Sequence, residues 1–290
     1  MDTPKPLVSF AIAGLLAFPQ TQAVRSQEIA SAIGRGSVSM AWDALNDGLA
    51  DGDVEHRKNT VAAIGTIGPL PEAVQKVERA LQDKDAQVRQ TAAFTLSQMG
   101  AKDAIPNLKA ALDDTPEVSF TAAKALWVLG DPSGREIFQE VIEGERSNAP
   151  GKLHGAVKDA KKKLGPGQLA LMGAKDATGV MFGPASLGIT AVQEAIKTAK
   201  KDAGAGGRSV AAEVLAQDSD PYALILLEWA LGDDNWGVRV AVAKALGERG
   251  NQETISKLQP LLKDDHHAVR YMAAASMIKL SSKQQTSAAN

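Results

Sequence analysis

Four histidines, His56, His154, His266 and His267, are the side chains of this 290-residue chain best suited to holding a metal ion or moving a proton. Their spacing argues against both. No two stand four apart on a common helix face, and no HExxH arrangement occurs. His266 and His267 are neighbours in sequence, so their side chains are expected to diverge and to face solvent at a helix start. Cysteine is absent, which removes disulfides, thiolate metal sites, a cysteine nucleophile and a lipoprotein anchor together. No GxSxG elbow and no Walker loop is present. The glycine-rich run 203–208 could cradle an anion with its amides. It falls where a turn should join two helices, and a plain turn is the expectation.

The remaining candidates are paired charges. Asp85 precedes Arg89 by four residues, Asp234 precedes Arg239 by five, and Asp265 precedes Arg270 by five. A carboxylate beside a cation is one way to tune an acid-base group. A catalytic site is needed once, however, whereas these pairs recur. Recurrence points to a structural ladder that ties the turn of one repeat to its neighbour.

The elements that carry these pairs repeat with a fixed period. Val88-Arg89 is followed by Ala92-Ala93, Leu96 and Gly100; Val238-Arg239 by Val242-Ala243, Leu246 and Gly250; Val269-Arg270 by Ala273-Ala274 and Met277. A further copy has Val118-Ser119, Ala122-Ala123, Leu126 and Gly130, with weaker copies around Arg57 and Arg208. From Arg57 to Arg89 is 32 residues, from Arg89 to Ser119 is 30, and the steps Arg208 to Arg239 to Arg270 are 31 each. A constant interval of that size denotes a stack of supersecondary units. Within each unit, apolar residues at −1, +3, +7 and +10 from the arginine form one helical stripe. An amphipathic first helix precedes it, as at 72–81, 105–112, 222–231 and 254–262. Acidic turns join the two helices, where aspartate can cap the second.

The pattern carried by residues 85–100, 234–250 and 265–280 resembles the HEAT-repeat family, in particular the short bacterial variety similar to phycobilisome lyase HEAT-like repeats. That resemblance covers roughly residues 40–282 and implies an all-α fold. The expected architecture is an α-solenoid of about six to seven helix pairs. It implies little about activity, because the fold serves many roles.

Composition agrees. Hydrophobic residues make up 44% of the chain and aromatics only 4%, which suits helices packed closely through alanine. A net charge of −2 gives no general electrostatic case for nucleic acid. At the N-terminus, the apolar run 7–18 followed by Thr21-Gln22-Ala23 reads as a secretory signal over residues 1–23, placing the protein in the periplasm or outside the cell. The alternative is a buried first helix in a cytoplasmic protein. Repeats are then expected over 24–165 and 191–282, with a disordered tail at 283–290.

Between the two arrays lies 166–190, with five glycines, two prolines and only Lys175 and Asp176 charged. It could fold back over a gap between the halves, offer Met172, Met181 and Phe182 to a partner, or touch a membrane. A regular membrane-spanning helix is not expected from it.

Together these features lead to a non-catalytic interaction scaffold that needs no cofactor and no metal. Its expected partner is a protein held on the concave face, lined by second helices. Phe94, Phe120, Trp127, Trp236 and Tyr271 fall on the helix side opposite the core stripe and are the candidate contacts. The competing reading is that these aromatics fill space between repeats. An enzyme-accessory or lyase-like role is the other alternative.

Overall fold

The computed structural model describes residues 36–143, 202 and 204–288. Those residues are helical throughout, joined by short turns and 3-10 segments. The helices are α1 (36–50), α2 (Val54–Gly65), α3 (Pro71–Ala80), α4 (Ala86–Gln98), α5 (Ile105–Ala110), α6 (Pro116–Val128) and α7 (Arg135–Glu143). They continue with α8 (Ala205–Gln217), α9 (Pro221–Trp229), α10 (Trp236–Arg249), α11 (Gln252–Leu258) and α12 (His267–Ala288). The N-terminal segment 1–23 and the segment 166–190 lie outside the described residues.

Local chemistry sets the helix boundaries. Asp53, Asp85 and Asn235 accept from amides in the first turn of α2, α4 and α10. Pro71, Pro116 and Pro221 open α3, α6 and α9, where their missing N–H is no loss. After α2, α4 and α6 the chain reverses through Gly68, Gly100 and Gly130, all at positive φ.

The second helices α4, α6 and α10 bury the stripe read from the sequence, whereas on α8 its Gly207 and Ala211 are exposed. Val88, Ala92 and Leu96 are buried on α4, Val118, Ala122 and Leu126 on α6, and Val238, Val242 and Leu246 on α10. Fully burying one such leucine contributes roughly 1.5–3 kcal/mol. The paired alanines, such as Ala92-Ala93 and Ala273-Ala274, are fully buried and let neighbouring helices approach closely.

The second helices lie side by side, and their spatial order differs from their sequence order. α8 packs on α10 and α10 on α12; α12 packs on α2, α2 on α4, and α4 on α6. Residues 205–288 thus form the first part of the row and residues 36–143 the second. Asn59 on α2 lies 3.0 Å from His267 on α12, and Ser37 donates to Gln259. Tyr271 of α12 seats against Gly48 of α1, where a Cβ would stand 2.6 Å from its ring.

The C-terminus departs from the sequence expectation. α12 continues to Ala288, through the stretch read as a disordered tail. That stretch has no glycine or proline, and Gln, Lys and Ala all favour helix. Lys283 further tethers it by donating to the backbone carbonyls of Gly247 and Glu248 at the end of α10. Among the described helices none is long and apolar enough to cross a membrane.

Candidate interaction surface and its ladder

Two features stand out along the row of second helices: a ladder of ion pairs at one edge and aromatic side chains on its face. The ladder has different acids from those the sequence suggested. Arg89 anchors its Nη1 on the carbonyls of Asp83 and Lys84, then reaches into the next repeat and donates twice to Asp114, both at 2.6 Å. Arg57 grips Asp83 at 2.7 and 2.9 Å, Arg239 grips Asp264 at 2.8 Å twice, and Arg208 grips Asp233 at 2.7 and 3.0 Å. The acid therefore stands 25 or 26 residues after the arginine. Asp85, Asp234 and Asp265 are not its partners. Asp85 is occupied as the N-cap of α4, accepting from Gln87 N, and Asp234 and Asp265 contribute their backbone carbonyls.

These pairs are bidentate, the geometry in which a guanidinium binds carboxylate best; Arg57 is buried, Arg89 and Arg239 are half-buried, and Arg208 is exposed. The hydrogen bonds from Arg89 hold the Asp114 carboxyl below its ordinary range, and those from Arg208 do the same to Asp233. At α6 the arginine is replaced by Ser119, which is fully buried and donates to Leu112 O at 2.7 Å. Lys109–Asp131, 2.9 Å, follows it.

One step of the row breaks the pattern. By position Arg270 should pair with Asp51, since Asp51 stands six residues before Arg57 as Asp83 stands before Arg89. Arg270 does anchor on the carbonyls of Asp264 and Asp265, but among the described residues no carboxylate pairs with it. Asp51 instead lies 2.8 Å from His56 Nδ1. At this step imidazoles fill the boundary: His56 and His267 have ring centroids 3.9 Å apart, and His266 and His267 4.6 Å. Trp236 stacks flat on His266 at 3.8 Å. The expectation that His266 and His267 diverge into solvent is thus corrected. The turn into α12 lets both rings lie along one stack. Among the described residues no group of three His, Asp or Glu could hold a metal ion.

The five aromatic candidates separate. Phe120, Lys124 and Trp127 form a stripe at i, i+4 and i+7 on α6, with Lys124 Nζ 6.0 Å from the Phe120 ring centre. Trp127 is 58% exposed and Val128 beside it 62%. Phe120 meets Phe138 of α7 edge-on at 5.7 Å, and Phe94 is half-buried on α4. Trp236 is half-buried against His266. Tyr271 is buried at the α12–α1–α2 contact, so it is core and not a surface contact. A second exposed apolar stripe, absent from the sequence expectations, lies on α9 as Tyr222, Ile225 and Trp229, and Val210 and Val214 of α8 are exposed as well. Its signal is visible in the chain: 221–229 reads PYALILLEW, with almost no polar side to present outward.

A sequence profile described as HEAT repeats matches residues 42–130, 79–148 and 192–279. The chain belongs to the HEAT-repeat family. Among solved structures, the HEAT chain is similar to human deoxyhypusine hydroxylase in complex with glycerol, with 21% identity, TM-score 0.30, and coverage of 88% of this chain and 99% of that one. It is also similar to an engineered protein, with 15% identity, TM-score 0.24, and coverage of 85% and 97%. No curated protein matches it.

Proposed function

We propose that this HEAT protein is a non-catalytic scaffold that holds a protein partner on its row of second helices, with the stripe on α6 as the anchor. The observation that carries this reading is Trp127, more than half exposed on a helix whose opposite side is fully buried. Phe120 and Lys124 continue the same stripe, and Phe94 lies on the neighbouring second helix. A large aromatic set among polar neighbours is the kind of residue that dominates binding energy at interfaces. Phe120 is braced edge-on by Phe138, which lowers the cost of ordering that ring on binding.

The test is affinity capture from native cells with the wild type and Trp127→Ala, with helicity followed by circular dichroism. The reading expects proteins retained by the wild type to be lost with the variant at unchanged helicity. Equal retention by both would overturn it.

A further inference from the structure

The boundary between α12 and α2 is the one step of the described row built from imidazoles. His56 stands directly before Arg57, the position that Val88, Val118, Val238 and Val269 occupy before their own ladder residues. All four valines are buried, at 1% exposure or less. At this boundary a titratable ring has therefore replaced a core valine, and the same ring holds the carboxylate that register would give to Arg270.

The hydrogen bonds specify protonation states. Asn59 Nδ2 lies 3.0 Å from His267 Nε2, so that nitrogen accepts. Ala268 N–H points at His266 Nδ1 at 3.3 Å, so His266 fills the N-cap place that Asp53, Asp85 and Asn235 fill elsewhere. A proton on either nitrogen removes the acceptor. Asn59 could turn its amide to answer this, but a backbone N–H cannot. A cation at the first turn of α12 also opposes the helix dipole.

We propose that the α12–α2 boundary is a proton-operated joint, closed while His266 and His267 are neutral and loosened when they take up protons, so that acidification divides the row into its two halves. The groups that face the stack come from three elements. From α2 and its leading turn come Asp51, Asp53, His56 and Asn59, while Glu55 and Lys58 pair with each other at 2.8 Å. Asp53 is committed to capping α2 through Glu55 N and His56 N. From α12 and its leading turn come Asp264, His266, Arg270 and Tyr271, and from α10 comes Trp236; Asp264 accepts from His266 N and is gripped by Arg239. A protonated His266 or His267 would join Arg270 in a half-buried space where Asp51 is already engaged by His56 Nδ1 and Asp53 N. Burial, reinforced by His56, His266 and Arg270, holds the His267 imidazole down at about 4, in keeping with a ring that is neutral when the joint is closed.

The test is hydrogen exchange of the full chain from pH 7.5 to 5, read as protection factors helix by helix. α2 and α12 should lose protection on the order of tenfold more than α4 and α6 as pH falls. His267→Gln keeps an acceptor for Asn59 and cannot be protonated, and it should lose most of that pH response. His266→Asn keeps an N-cap acceptor for Ala268 N–H and cannot be protonated, and it should likewise reduce the response, which keeps the test decisive should the first variant not fold. Equal loss in α2, α12, α4 and α6, or a full wild-type response in His267→Gln, would overturn the proposal.

Discussion

Arg89 and Asp114, 25 residues apart, are joined by two hydrogen bonds of 2.6 Å across the boundary between consecutive repeats. The same arginine holds two carbonyls of its own turn. One side chain thus fixes both the turn within a repeat and the spacing to the next. Arg89→Ala should cost about 2–3 kcal/mol, because it leaves a half-buried carboxylate and two carbonyls without their donor. Asp85→Ala removes only an N-cap and should cost about 1 kcal/mol. Urea unfolding of the two variants separates the roles; a larger cost for Asp85→Ala would return the ladder to the local pairing.

That pairing shows what sequence could and could not reveal. The repeat period, the buried stripe of Val88, Ala92 and Leu96, and the capping turns were legible because each depends on residues a few positions apart. Asp85 and Arg89 look like partners for the same reason, yet Asp85 is already occupied by Gln87 N. The true partner was hidden by a 25-residue separation. The contact between His56 and His267 joins the two halves of the chain and depends on their spatial order, which no local pattern encodes. One clue was present: a histidine in the position where four other repeats carry valine. Tyr271 was misplaced for a related reason. Counting from the core stripe assigns it an outer face, but α1 and α2 cover that face.

Stability should fall with acid in two stages. His267 is held at about 4 against an ordinary 6.5, so its contribution is complete above 6.5 and is lost as pH falls from there through about 4. Asp114 and Asp233 are held below their ordinary 3.8 by their arginines, so their contribution is present above 3.8 and is lost below it. Thermal midpoints across pH 8 to 2 check this, and a flat profile between 6.5 and 4 would contradict the first stage.

Gly247 lies where α10 crosses α12. A Cβ there would stand 2.7 Å from the Cβ of Ser276 and 3.0 Å from its Cα, so Gly247→Ala must push the helices apart. A loss of about 1–3 kcal/mol is expected. Gly207 on α8 has nothing within 4 Å of such a carbon, and Gly207→Ala should stabilise by about 0.5–1 kcal/mol through helix propensity. Chemical denaturation of both variants tests the packing between α10 and α12.

Trp127→Ala should leave the unfolding free energy within about 0.5 kcal/mol of wild type, since an exposed side chain away from the core contributes little to folding. Phe120→Ala, which removes the edge contact with Phe138, should cost more. Comparable losses from both would make Trp127 a structural residue and remove it from the interface.

One relationship stands above the others: residues 205–288 and 36–143 form a single row because α12 packs on α2. Thr66 Oγ1 lies 3.8 Å from Met272 Sδ across that boundary. The chain has no native cysteine, so Thr66→Cys combined with Met272→Cys places a unique thiol pair there. Treatment of the double variant at neutral pH with a short thiol crosslinker should yield an intrachain link in most molecules, read by mass spectrometry of the digested protein. Two thiols that stay free, or that link only between chains, would show that the halves do not meet at α12 and α2.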